Sequence, residues 1–261
     1  MTIGICVAGA TGWVGEALCP AIAAASDLRL AGAVARKSAG RPAPGVPEVR
    51  ISGTVEEALK SPTDVLIDYT HPAVVKANTL TAINAGVSVV IGTSGLSAQD
   101  YAELDQAARR KKVGVIAAGN FSVTAALLLR FALLAAEHVP QWEIIDYASF
   151  TKPDAPSGTA REMAERLSEI RKPKIGVPIE AMHGAKEARG ADIAGTRVHS
   201  LRLPSYVIAC EALFGAESER LVIRHEAGTS PAPYVAGTLL AARKVREVTG
   251  LVRGLDRLLF G

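Results

Sequence analysis

A chain of 261 residues, 49% of them apolar, 5% aromatic and with a formal charge of only +3, can fill one large or two modest cores and has no basic stripe for nucleic acid. Its three cysteines, Cys6, Cys19 and Cys210, have neither metal-ligand nor disulfide-framework spacing. Charges, Gly or Pro interrupt each apolar run before membrane-spanning length, and the apolar start runs into a glycine motif instead of a cleavage site. A cytoplasmic protein with no metal, no nucleic-acid partner and no membrane contact is therefore expected.

The first half alternates short apolar runs with helical patterns, which predicts parallel βαβ units. Strands are expected at residues 3–8, 28–35, 65–69, 88–91 and 114–117. Helices are expected at 14–25, 54–59, 73–85 and 98–111, and the Pro- and Gly-rich stretch 40–47 reads as a surface loop. The pattern then changes. A long apolar helix is expected at 123–137, a strand at 141–149 and a helix at 159–171. Residues 198–224 alternate as strands do, with Val198, Leu203, Val207 and Leu221–Ile223 as core candidates, and a last helix is expected at 235–248. The order implies an α/β fold: a parallel-sheet domain over residues 1–122, a mixed α+β domain over 123–234, and a closing helix within 235–261.

The first strand leads directly into Gly9-Ala10-Thr11-Gly12-Trp13-Val14-Gly15. Strand, glycine turn and helix come in the order a Rossmann-type dinucleotide site requires. Glycines let the backbone approach a pyrophosphate, and the helix start offers free N–H groups. An ordinary βα turn would also use such glycines, but the surrounding βαβ pattern favours the cofactor site. An NAD site usually carries an acid at the end of the second strand. Here that end reads Ala35-Arg36-Lys37, two cations and no carboxylate. This favours NADPH, with NADH also admitted; two solvated loop charges are the alternative.

Ser157-Gly158-Thr159 precedes a helical run, so backbone N–H groups and two hydroxyls can converge on an anion, and Lys152 adds a compact charge with three donors. A plain helix N-cap is the competing reading.

Five segments resemble dihydrodipicolinate reductases: Asp68-Tyr69-Thr70-His71-Pro72, Val90-Ile91-Gly92-Thr93-Ser94-Gly95-Leu96, Asn120-Phe121-Ser122-Val123, the run from Lys152-Pro153-Asp154 through Ala155-Pro156-Ser157-Gly158-Thr159-Ala160, and His199-Ser200-Leu201-Arg202-Leu203-Pro204. The resemblance spans nearly the whole chain in the family's order. It implies hydride transfer from NAD(P)H to a carboxylated cyclic imine or conjugated double bond in lysine biosynthesis. It implies a homotetramer built through the second domain, and a C-terminal helix that returns to the dinucleotide domain. Tyr69, Thr70, Gly92, Thr93, Ser94, Ala118, Asn120 and Phe121 would lie near the cofactor. Lys152, Ser157, Gly158 and Thr159 would hold a substrate carboxylate; beyond the resemblance, Ser149 is expected to bind substrate and Lys152 to be catalytic.

The chain departs from that family in the segment Asp146-Tyr147-Ala148-Ser149-Phe150-Thr151-Lys152. Members carry a histidine pair where Ala148 and Ser149 stand. Ala148 has no proton to give, and the Ser149 hydroxyl is far too weak an acid to replace imidazolium. Loss of a positioned general acid typically costs about 10²–10⁴-fold in rate. Water or Lys152 would then serve. Tyr147 is a nearby donor that strand alternation turns away. Ser230 replaces a family arginine after the last strand; His225 is given no chemistry, and His71, His138 and His183 read as surface or loop residues. Three functions remain open: the lysine-pathway reductase, the same hydride chemistry on a different imine or unsaturated acid, and a catalytically silent NADPH-binding protein.

Overall fold

The structure, a computed structural model, describes residues 2–261. The chain divides into two compact units: residues up to Val123 together with Pro231–Gly261, and Thr124–Ser230.

The first unit is built on an eight-stranded sheet. Its strands are β1 (Ile3–Ala8), β2 (Leu28–Val34), β3 (Pro42–Ala43), β4 (Val46–Ser52), β5 (Val65–Asp68), β6 (Ser88–Ile91), β7 (Gly114–Ala117) and, from the chain's end, β13 (Gly250–Arg253). They run in the order β13-β7-β6-β5-β1-β2-β4-β3, and every pairing is parallel except the β3–β4 hairpin. The central strands are uninterrupted apolar runs because helices cover both faces. Ile5, Cys6, Val7, Leu66, Ile67, Val89, Val90, Val115 and Ile116 are fully excluded from solvent. The helices are α1 (Gly15–Ala24), α2 (Val55–Ala58), α3 (Pro72–Asn84), α4 (Ala98–Lys111), α7 (Ala232–Lys244) and α8 (Leu255–Phe260). Those starting at Val55 and Ala98 begin with reciprocal capping boxes, Thr54 with Glu57 and Ser97 with Asp100. Strand β1 lies between β2 and β5, so the chain leaves it to one side and later returns on the other. That places a crevice outside the carboxyl ends of these strands.

Three expectations change here. The 40–47 stretch is a hairpin, not a loop: Ala43 and Val46 are buried on either side of the turn at Gly45. Its second strand, VPEVRIS, escaped a strand reading because charged residues fill its exposed positions. The last helix starts at Ala232 and ends at Lys244, and strand β13 and helix α8 follow it.

The second unit carries a five-stranded sheet in the order β12-β11-β8-β10-β9. Its strands are β8 (Trp142–Ala148), β9 (Ala191–Ile193), β10 (Thr196–Arg202), β11 (Ile208–Ala216) and β12 (Glu219–Ala227); only β8 and β10 pair in parallel. Helices α5 (Val123–His138) and α6 (Gly158–Ile170) cover one face. Leu128, Ala132, Met163 and Leu167 pack there on Ile144, Val198, Ala212 and Phe214. Val198 is a core residue as expected, but Leu203, Leu221 and Val222 are exposed. Leu203 follows the end of β10, and β12 is an edge strand. The opposite sheet face has no helix from this unit; it presents Glu143, Ile145 and Tyr147 half-buried beside exposed Leu201 and Val222.

Candidate active site

The cofactor-side residues gather at the carboxyl ends of the parallel strands. After β1 the chain turns at Gly9, whose φ is +85°. A Cβ there would lie 2.1 Å from the Tyr69 carbonyl oxygen, and one at Gly15 would lie 2.1 Å from the Gly9 carbonyl oxygen. Only glycine permits both approaches, which bring the start of α1 against β1 and leave Thr11 and Gly12 exposed. A cavity of about 620 Å³ opens beside this loop, lined by Gly9, Thr11, Gly12, Arg36, Lys37, Tyr69 and Thr70 among others. Arg36 and Lys37 occupy a short 3₁₀ turn directly after β2, both exposed. A glycine cradle at a helix start and two cations at the far rim fit a phosphorylated dinucleotide.

Other expected cofactor residues have more structural placements. Ala10 is fully buried, so only its backbone can meet a ligand. Trp13 is half exposed, with its ring edge-on to Tyr234 at 5.4 Å; Val14 is half-buried. The Tyr69 ring lies over Gly92 and edge-on to Phe121. Its hydroxyl bonds Thr238 Oγ1 at 2.7 Å, and burial pushes the phenol well above its ordinary value. Phe121 and Ala118 are buried, and Ser94 is half-buried. Asn120 accepts from the Ser122 amide at 2.8 Å.

Asp68 organises this corner, although its own role was not legible from sequence. The carboxylate is fully buried at the end of β5. Its Oδ1 accepts from the Thr70 amide (3.0 Å), the Thr70 hydroxyl (2.6 Å) and the Thr93 hydroxyl (2.7 Å), and its Oδ2 accepts from Asn78 Nδ2 (2.8 Å). Two loops are thereby fixed to one side chain. His71 is an exposed loop residue, as expected; its Nδ1 accepts from the Ala73 amide at the start of α3, and it lines the cavity with Asn78, Gly53 and Thr54.

All five substrate-side residues belong to the second unit. Ser149 ends the strand in a turn; its hydroxyl lies 3.0 Å from the Thr151 hydroxyl, and its carbonyl accepts from the Lys152 amide at 3.0 Å. Lys152 Nζ pairs with Asp154 Oδ1 at 2.8 Å. Ser157 caps α6, accepting from the Ala160 amide, and is fully buried. Gly158 and Thr159 form the first turn of the helix behind the Ser157 cap. Lys152 thus lies on the turn that leads through Asp154–Ser157 into α6, with its ammonium paired to Asp154.

Ala148 is fully buried on the helix-covered face, in line with Asp146. Tyr147 points to the other face, its ring 5.0 Å from and tilted against that of Tyr206, with the Arg224 guanidinium 4.7 Å from its ring centre. Burial and the Glu211 carboxylate raise its phenol. It is turned away from Ala148, as alternation predicts. Asp146 and Arg202, absent from the expected site, bond directly to the Asp154–Ser157 segment.

Comparison with known proteins agrees with this arrangement. A family model described as "Dihydrodipicolinate reductase, N-terminus" matches residues 3–121, and its C-terminal counterpart matches residues 124–259. The chain is 37% identical over 264 residues to the 4-hydroxy-tetrahydrodipicolinate reductase of Desulfitobacterium hafniense, covering 98% of each chain. It is 38% identical over 273 residues to the enzyme of the same name from Synechococcus elongatus, again covering 98% of each. Among solved structures, dipicolinate-bound dihydrodipicolinate reductase from Paenisporosarcina sp. TG-14 superposes with a TM-score of 0.78 at 30% identity, covering 99% of this chain and 100% of that one. A parallel sheet with a tight glycine turn after its first strand, a second mixed-sheet unit, and these matches along both units place the chain in the dihydrodipicolinate reductase family of NAD(P)H-dependent oxidoreductases.

Proposed function

We propose that this protein reduces the dehydrated form of 4-hydroxy-tetrahydrodipicolinate with NADPH. The observation that carries the reading is the Lys152 turn leading into the Ser157-capped start of α6, in a chain 37% identical to enzymes of that name. NADPH supplies the hydride. The first unit binds it through the Gly9–Gly15 cradle, with Arg36 and Lys37 set to meet a 2′-phosphate. In the second unit Lys152 and the Gly158 and Thr159 amides hold a substrate carboxylate. The protonated Lys152 ammonium, kept on the loop by Asp154, is also the proton source, since Ala148 and Ser149 supply no imidazole. We also place the protein in the cytoplasm, where its three unpaired cysteines stay reduced; no described helix is long and apolar enough to cross a membrane. A homotetramer is proposed too, supported by the helix-free sheet face with its exposed Leu201 and Val222, and by exposed Phe131, Leu134 and Leu221 lining an apolar groove on the helix side of the same unit.

The replaced histidine pair favours one second reading, in which the same scaffold reduces another carboxylated imine. One assay separates the two. Substrate generated in situ from pyruvate and aspartate semialdehyde by the preceding aldol-type enzyme is added to protein and NADPH, and NADPH absorbance is followed. Oxidation at an enzymatic rate, reduced about 10²–10⁴-fold in Lys152→Ala, supports the first reading. No oxidation by protein shown to bind NADPH transfers the assignment to another imine.

A further inference from the structure

The segment Asp154-Ala155-Pro156-Ser157 joins the Lys152 turn to α6, so its placement sets the distance between the lysine ammonium and the helix-start amides. Two side chains from the neighbouring parallel strands β8 and β10 hold it. Asp146, with no solvent exposure, uses a single oxygen, Oδ2, to accept from three donors: the Ser157 amide at 2.9 Å, the Ser200 hydroxyl at 3.1 Å and Arg202 Nη2 at 2.8 Å. The same Arg202 Nη2 donates to the Asp154 carbonyl at 2.6 Å, while Nη1 donates to the Leu201 carbonyl at 2.8 Å. The pair thus grips the segment at both ends, the carbonyl of residue 154 and the amide of residue 157. Strand register makes this grip stiff, because Asp146 lies opposite Ser200 and Ala148 opposite Arg202.

A buried ion pair adds little net stability over apolar residues of the same volume, because desolvating both charges offsets their attraction. What it does enforce is geometry. Arg202 offers two donors in a rigid plane, and this pair spends them on backbone and carboxylate positions that an apolar pair would leave unfixed. An error of about 1 Å in placing a substrate-binding group can lower rates about a hundredfold.

We propose that Asp146 and Arg202 are the positioning residues of the carboxylate site: they act through Asp154 and Ser157 to hold Lys152 and the amides of α6 at the spacing one carboxylate needs. The proposal rests on the functional reading above for the nature of the ligand, but not for the ordering of the segment. Neither residue touches substrate in this scheme.

The test uses the full chain with Asp146→Asn/Arg202→Gln, which removes both charges together and leaves neither one buried alone. Hydrogen–deuterium exchange of peptides spanning 153–161 is measured without ligand, alongside affinity for pyridine-2,6-dicarboxylate and for NADPH. The expected result is exchange at least about ten-fold faster, confined to that segment, with dicarboxylate affinity about ten-fold weaker and NADPH affinity unchanged; ten-fold corresponds to about 1.4 kcal/mol. A folded double variant whose segment exchanges as in the parent overturns the proposal. If the parent protein does not bind the dicarboxylate, the substrate reading fails, and the exchange data still decide the positioning role. If the double variant does not fold, Arg202→Lys decides by the same exchange measurement, since a lysine keeps the charge but not the planar fork.

Discussion

The rim cations of the cofactor cavity make the most direct prediction. Arg36 and Lys37 are exposed, sit in a 3₁₀ turn immediately after β2, and line the same cavity as Thr11 and Gly12. A 2′-phosphate carries close to two negative charges near neutral pH. Exposed ion pairs are worth up to about 1 kcal/mol each, and a well-aligned charged hydrogen bond about 1.5–3 kcal/mol. Taking roughly 1–1.5 kcal/mol per side chain, Arg36→Ala/Lys37→Ala should weaken NADPH binding by about 30–150-fold. NADH lacks the phosphate and serves as the internal control. Loss of two positive charges weakens the general attraction for both pyrophosphates alike, so the ratio of the two dissociation constants isolates the specific contact. Fluorescence titration of both cofactors at fixed ionic strength measures it. Raising salt, which shortens the screening length from about 10 Å at 0.1 M, should erode the NADPH preference of the parent and leave the variant unmoved. Equal weakening of both cofactors would refute the assignment and leave two solvated charges.

Gly15→Ala should reduce affinity for both cofactors by more than about ten-fold, because its Cβ would meet the Gly9 carbonyl oxygen at 2.1 Å and push the cradle open; unchanged affinities would remove the cradle from the site. Asp68→Asn turns an acceptor surrounded by four donors into a group with an NH₂ of its own. Asn78 can rotate its amide to accept, so the protein should stay folded while losing about 1–3 kcal/mol in urea unfolding, with weaker cofactor binding as the two loops loosen; an unaltered unfolding midpoint would contradict the network. Burial holds the His225 imidazole below its ordinary value of 6.5. The native state therefore binds fewer protons there than the unfolded chain, so this contribution is present above that value and lost as pH falls through the folded one. His225→Gln should flatten the decline of unfolding free energy between about pH 7 and 5, and an identical slope would rule this source out.

The parallel core was legible because both faces are covered, which makes β1, β6 and β7 continuous apolar runs whose limits coincide with glycines and charges. Strand β4 was hidden by the opposite circumstance: with one side exposed, VPEVRIS carries charge at alternate places and resembles a loop. Leu221 and Val222 misled in another way. Their apolar character signals burial, but on the edge strand β12 Val222 lies on the helix-free face, and Leu221, on the other face, only lines an open groove beside Phe131 and Leu134 of α5. Local geometry set by neighbouring residues was readable, as with the glycine turn at Gly9–Gly15 or the cap at Ser157. Residues that act at a distance were not. Asp146 meets Ser157 eleven positions away and Arg202 meets Asp154 forty-eight away, and no spacing rule connects them before the strands pair.

The two missing histidines have different structural meanings. Position 148 faces the helix layer directly after Asp146 on the same strand face, and alanine there is sealed from solvent. Position 149 is the first residue of a turn, where serine bonds Thr151 and accepts from the Lys152 amide. An imidazole at 148 would be an addition to a core whose carboxylate already serves the Asp154–Ser157 segment, and its loss leaves that segment gripped as before. Serine at 149 suits the turn through its own hydroxyl and keeps Lys152 drawn back toward the strand end. The carboxylate site proposed above is therefore independent of the histidines, since the proposal takes its charge from Lys152 and its donors from the backbone of α6. In the proposed reaction the substitutions remove proton supply, and the proposal assigns it to Lys152, which follows the altered strand end in the same turn and pairs with Asp154 at 2.8 Å.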